Sequence, residues 1–203
     1  MKKYELTEET VTVYGKTLYR IRAVRDFGSV KTGEFGGYIE KEENLSHFGN
    51  AWVSGNAWVF DNARVYDDTW VYGNARVYGN ARVYDNAWVF GNAWVFGNAK
   101  VYDDAWVCGD AKVYGDAWVS GNAEVFNTMH FFVQGPIGSR NGFITFYRTK
   151  DNTVEVRCGC FSGSLQKFVD RVEETHGGSR YEKEYKLAAE LAKVCIRLEG
   201  ESR

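Results

Sequence analysis

The chain has 203 residues, a formal net charge of −2, a pI near 6.0 and 44% hydrophobic residues. That is enough apolar material to fill one or two cores, and without a basic block it argues against generic binding to nucleic acid or to an anionic membrane. Residues 1–8 lack the apolar segment of a signal peptide, no apolar run is long enough to span a bilayer, and four cysteines without framework spacing suit a reducing compartment, so a cytoplasmic protein is expected.

Residues 1–48 read as an N-terminal cap. Residues 11–22 alternate around Gly15 and predict a hairpin, and the glycine-rich residues 33–40 are expected to complete the cap. Residues 43–48 keep a six-residue period but place Leu45 and His47 at its inward positions, with His47 as a packed histidine at a coil end.

From Gly49 to Phe126 the chain is thirteen unbroken copies of one six-residue unit, G/D-N/D-A-x-V-x. Only Thr69 departs from alanine at the third position, and valine holds every fifth. Alanine and valine sit two apart, so in a strand they face the same way. The Gly/Asp-Asn/Asp pair before them tolerates left-handed backbone and marks a turn. Each unit is therefore a turn and a short strand that buries its apolar side only by stacking on copies of itself. Thirteen such units (49–127 with the following residue) would make a prism roughly 20 Å tall at about 4.8 Å per coil.

If three units close one coil, residues 18 apart stack. The fourth position faces out and holds all seven tryptophans. One column then reads Trp52, Trp70, Trp88, Trp106, Glu124, and the second Trp58, Arg76, Trp94, Lys112 with His130 next. The third reads Arg64, Arg82, Lys100, Trp118. The sixth position is also outward and mostly aromatic, including Phe90 on the first face. Two compatible readings follow. Stacked rings and ring–cation pairs tie adjacent strands together, and the stripe Trp52, Trp70, Trp88, Trp106 and Phe90 is a candidate oligomer or partner surface.

Residues 128–203 have a different pattern and predict a small α+β domain. Candidate strands lie at 130–134, 142–148 and 153–161. A first helix has Leu165, Phe168, Val169 and Val172 on one face, starts at Ser164 and stops at Gly177-Gly178. A second is expected to bury Leu187, Leu191, Val194 and Leu198.

A turn every six residues with small and branched residues inward resembles the hexapeptide-repeat left-handed parallel β-helix. The fold class implied is mainly β: a left-handed parallel β-helix with an N-terminal hairpin cap and a small C-terminal α+β domain. The Gly36-Gly37-Tyr38-Ile39-Glu40 entry, the Asn44-Leu45-Ser46 step and the Gly-Asn-Ala-x-Val units resemble a group of bacterial and phage hexapeptide-repeat proteins. Gly138-Ser139-Arg140-Asn141, Thr145-Phe146-Tyr147-Arg148 and Cys158-Gly159-Cys160-Phe161 resemble a small domain of phage and Gram-positive proteins. These resemblances imply a phage or prophage origin and a homo-oligomer, with a trimer favoured. Neither names an activity.

Many left-handed β-helix proteins are acyltransferases that use a histidine base. Here residues 49–126 contain no histidine; His47, His130 and His176 all lie in or beyond the caps. A zinc carbonic anhydrase of similar fold needs three histidine ligands, and an ice-binding face needs threonine columns. Cys158, Cys160, His176 and Cys195 are residue types that hold zinc, although Cys158 and Cys160 on one strand face also read as core. The loop 135–142, with Ser139, Arg140 and Asn141, and the nearby Arg148, Lys150 and Arg157, is a candidate anion or nucleotide pocket. It matches no P-loop or dinucleotide fingerprint and also reads as a plain hairpin turn. The residues favour a non-enzymatic binding scaffold without cofactor or metal, engaging a host protein or a small nucleotide. The alternatives are an acyl-CoA-dependent acyltransferase and a structural phage component.

Overall fold

A computed structural model describes residues 2–199; Met1 and the last four residues of the C-terminal region lie outside the described residues. The first hairpin is β1 (Tyr4–Val13) and β2 (Lys16–Ala23), closed by Tyr14 and Gly15 at positive φ of 50° and 78°. Strand β3 (Phe35–Ile39) pairs antiparallel with β2 on one edge. Its other edge runs parallel to the solenoid, so the cap extends one solenoid sheet.

The repeat forms a β-solenoid of about five turns, its longest purely repeat-built sheet holding 5 strands. Strands β4 to β16 are two residues each, from Trp52–Val53 to Glu124–Val125, and cover the fourth and fifth residues of every unit. They stack parallel with a step of 18 residues, as in Trp70–Trp88–Trp106 and Arg76–Trp94–Lys112. The valines and nearly all the alanines are fully buried. The left-handed turns hold glycine or aspartate, as at Gly73 (φ 73°) and Asp85 (φ 58°). Aspartate adds a link between coils that the turn reading missed. The carboxylates of Asp67, Asp85 and Asp103 accept the N–H of Asp85, Asp103 and Gly121. Beside them, side-chain amides form ladders such as Asn62–Asn80–Asn98–Asp116. Outside, rings stack along the axis: Tyr66–Tyr84–Tyr102 repeats at 5.0 Å with planes 2° apart.

The lower end departs from the expected register. Leu45 bridges Val65, 20 residues away, so it takes a valine rather than an alanine position. The tight 3-10 turn Glu42–Asn44 causes the slip, with the Asn44 amide donating to the carbonyls of Asp61 and Ala63. His47 sits beside the coil end, its ring stacked on Tyr4 at 4.3 Å, and its Nδ1 accepts the Lys3 N–H. Trp52, expected outward, is fully buried, because the N-terminal segment folds over the first coil and sets Tyr4 and Phe27 edge-on to the indole. Lys3 Nζ and the Tyr4 hydroxyl donate to the carbonyls of Ala51 and Leu45, which no lower coil pairs.

At the upper end the 3-10 turn Thr128–His130 leads into β17 (Phe131–Ile137), β18 (Gly142–Arg148), β19 (Val154–Cys158) and β20 (Phe161–Ser164), an antiparallel sheet in that order. The single strand expected over 153–161 is broken by the turn at Gly159 (φ 57°), which creates β20. Strand β18 crosses the top of the solenoid. Tyr147 joins its core, the Trp118 N–H donates to Thr145 Oγ1 at 2.9 Å, and the Lys150 N–H donates to the Asn122 carbonyl at 3.0 Å. The Trp118 N–H, which a next coil would pair, is thus satisfied by the cap.

Helices α1 (Leu165–His176) and α2 (Arg180–Cys195) pack against this sheet, α1 capped by the Ser164 hydroxyl. Helix α2 turns most of the expected face outward: Leu187, Leu191 and Val194 are exposed, while Ala188, Ala189, Ala192 and then Ile196 are buried, and of the expected residues Leu198 alone, just past the helix, packs partly against the core. The alanine stripe presents a low surface to β17 and α1, and Tyr185 and Ile196 fill the space at its ends. Cys195 and Cys160 are exposed, and Cys158 is half-buried. Among the described residues no helix is long and apolar enough to cross a membrane.

His130 does not extend the Trp58 column. It is buried in the 3-10 turn, with Nε2 2.9 Å from the Asn127 amide and its ring edge-on to Phe126. Burial, then the nearby Arg148, pushes its pKa down to about 4. The folded state therefore holds it neutral while the unfolded chain protonates it near 6.5. Its contribution is intact above pH 6.5 and lost as the pH falls towards 4, about 3 kcal/mol at most. Urea unfolding between pH 7 and 4 is expected to show this fall, with a shallower slope in His130→Gln.

Candidate functional site

The upper cap overhangs the third solenoid face and leaves a cleft of about 920 Å³ there. Trp118 of the last coil and Arg157 of β19 line its inner side, and α1 supplies Phe168, Arg171, Thr175 and His176. Tyr185 of α2 closes one end, and the β17–β18 hairpin contributes Ser139, Arg140 and Phe143 at the mouth. Three guanidinium groups, Arg140, Arg157 and Arg171, face one lining carboxylate, Asp116.

Their surroundings differ. The Arg157 guanidinium lies over the rings of Tyr102 and Trp118 at 5.6 and 5.7 Å, and its Nε is enclosed without a hydrogen-bond partner among the described residues. Among the described residues neither Arg140 nor Arg157 has a carboxylate partner, whereas Arg171 touches Glu174 at 3.5 Å. A guanidinium at a cleft wall without a carboxylate partner can hold an incoming anion through its terminal nitrogens.

The candidate anion pocket is thus redrawn. Ser139, Arg140 and Arg157 come together in the cleft. Asn141 (φ 48°) turns the exposed hairpin tip outside the lining. Arg148 is elsewhere: 2% exposed, it pairs with Glu124 at 2.7 Å and Glu199 at 2.9 Å and stacks over Phe126 at the junction with the solenoid. Sequence proximity misled because β18 alternates, with Thr145 at the cleft and Arg148 at the last coil's edge. Nor is the glycine-rich loop a phosphate cradle. The Gly138 N–H donates to Glu184 Oε2 at 2.8 Å, and a Cβ on Gly138 would lie 1.9 Å from the Tyr185 hydroxyl oxygen. Its glycine admits a neighbouring side chain, not a ligand.

Cys158, Cys160 and His176 line the same cleft, but Cys195 does not. Among the described residues no three His, Cys, Asp or Glu side chains converge as metal ligands. Burial raises the Cys158 thiol above its ordinary range and pushes Tyr185 up to about 12, so both stay protonated near neutral pH. The three histidines are far apart in role: His47 and His130 belong to opposite caps, and His176 packs on Tyr181 and Tyr185.

On the first face Trp70, Trp88, Trp106 and Phe90 remain outward, while Trp52 is withdrawn into the core. Trp88 stacks on Trp106 at 5.7 Å and Tyr72 on Phe90 at 4.9 Å, and Lys150 covers Trp106 at 4.4 Å. Rings stacked along the axis spend their faces on one another and offer edges outward.

Sequence reasoning missed Trp118, Phe143, Arg171 and Tyr185. Trp118 alone carried a signal, as the one indole in a column otherwise of arginine and lysine.

The model of the YdcK beta solenoid repeat matches residues 57–73, 71–83, 75–91 and 81–97, all within the solenoid. The chain is similar to that repeat there, and the upper cap with its cleft lies outside the match. No curated protein matches the chain.

Arg148 is a structural residue by this geometry. Arg148→Gln removes the buried partner of Glu124 and is expected to cost about 3 kcal/mol in urea unfolding, whereas Arg157→Gln gives up only its contacts with two rings and is expected to cost about 1 kcal/mol.

Proposed function

We propose that this chain is a non-enzymatic binding scaffold, a rigid left-handed β-helix of hexapeptide type that holds a site for a small anionic ligand in its upper cleft. The observation that carries the reading is Arg157, whose guanidinium lies over two rings at the wall of a cleft that Arg140 also lines, neither having a carboxylate partner among the described residues. The solenoid supplies rigidity; the cap supplies the ligand groups. On the resemblance to phage and prophage proteins, the ligand is a molecule of the bacterial host cytoplasm and the protein a counter-defence factor.

Acyl transfer is the weaker reading, since His176 is the one histidine at the cleft and packs on tyrosines rather than on a nucleophile. The first face suits self-association, because the ring-edge ridges of a second copy repeat at the same spacing of about 4.8 Å. A homotrimer is the assembly we assign to it.

Calorimetry with inorganic pyrophosphate tests the site. Binding that weakens with salt is expected, and Arg157→Gln or Arg140→Gln should reduce affinity by about tenfold or more. Absence of binding by the folded protein would refute the reading. Light scattering should give a trimer that Trp88→Glu dissociates; a monomeric native protein would remove the assembly without touching the cleft.

A further inference from the structure

We propose that the cleft takes a nucleoside phosphate, with the ring of Phe143 as the stacking surface for the base. The inference rests on the reading of the cleft as an anion site and adds what the rest of the ligand must be.

Phe143 differs from the other phenylalanines of the upper cap. Phe132 pairs with Phe146, and Phe161 with Phe168, inside the domain core. Phe143 has no ring partner among the described residues and is 41% exposed at the cleft mouth. It is nevertheless held in place. A Cβ on Gly135 would lie 2.4 Å from Phe143 Cδ1, so the ring fills the space that a side chain there would need. The ring thus packs against the β17 backbone at Gly135 and also lines the cleft.

The neighbouring groups suit the remaining parts of such a ligand. Arg140 stands three residues before Phe143 on the same hairpin, and Arg157 lines the cleft from β19. The hydroxyls of Ser139, Ser162 and Thr175 line the space and match the hydrogen-bonding needs of a ribose. A volume of about 920 Å³ falls within the usual range for cofactor-sized ligands. A bare phosphate would use the arginines alone and leave the supported ring without purpose. The stacked rings of the solenoid faces cannot serve in its place, because their faces already meet each other.

The test is calorimetry of the full chain with ADP, GDP, CDP and UDP, each compared with pyrophosphate at one ionic strength. At least one diphosphate is expected to bind about tenfold or more tightly than pyrophosphate. Phe143→Leu keeps an apolar side chain without the aromatic face and should abolish that difference while leaving pyrophosphate affinity unchanged; Phe143→Trp should keep it. Arg157→Gln should weaken both classes. Equal affinities for nucleotides and pyrophosphate, or full nucleotide affinity in Phe143→Leu, would overturn the ring assignment and leave the anion site standing. Failure of every probe to bind the folded protein would overturn both.

Discussion

Backbone pairing between coils 18 residues apart is the constraint on which the rest of this structure depends. Each two-residue strand has a neighbour only above and below, so the repeat cannot satisfy itself at either end. Inside, the narrow coil admits one methyl and one isopropyl group per unit, hence the invariant valine and near-invariant alanine. Outside, the same spacing brings rings within stacking distance and lets aspartates reach the next coil's N–H groups.

The two caps meet this need differently. At the bottom, the sheet of the N-terminal hairpin continues one solenoid face, and Lys3 and Tyr4 donate to carbonyls of the first coil. At the top, β18 runs across the last coil and Arg148 anchors it through Glu124. A crossing strand has to leave the prism at one side, and the sheet and helices it belongs to then project over the third face. The cleft is the gap under that overhang. Its inner side is solenoid and its mouth is cap, which explains why arginines from β19, α1 and a hairpin meet a tryptophan from the last coil.

The repeat, its inward residues, its 18-residue stacking and both helix positions were legible in the sequence because each is a local period or a capping signal. Trp52 was not: its fourth-position column is outward everywhere else, and only the overlying N-terminal segment buries it. The face of α2 was misread because leucines outrank alanines in an amphipathic pattern, although a close helix contact favours the smaller side chain. The cleft was half legible. Ser139 and Arg140 were read from the loop, and Arg148 and Arg157 were both added by sequence proximity, of which only Arg157 reaches the cleft. Phe143, Arg171, Tyr185 and Trp118 span the whole upper cap, and no local pattern links them.

The most direct test of the central claim, that the cleft arginines form an anion site, is a side-chain NMR titration that follows the Nε–H signals with inorganic pyrophosphate. The Arg157 and Arg140 signals are expected to move together and saturate while Arg148 stays in place. Movement confined to the solenoid arginines Arg64 and Arg82, or no movement at any arginine, would contradict it.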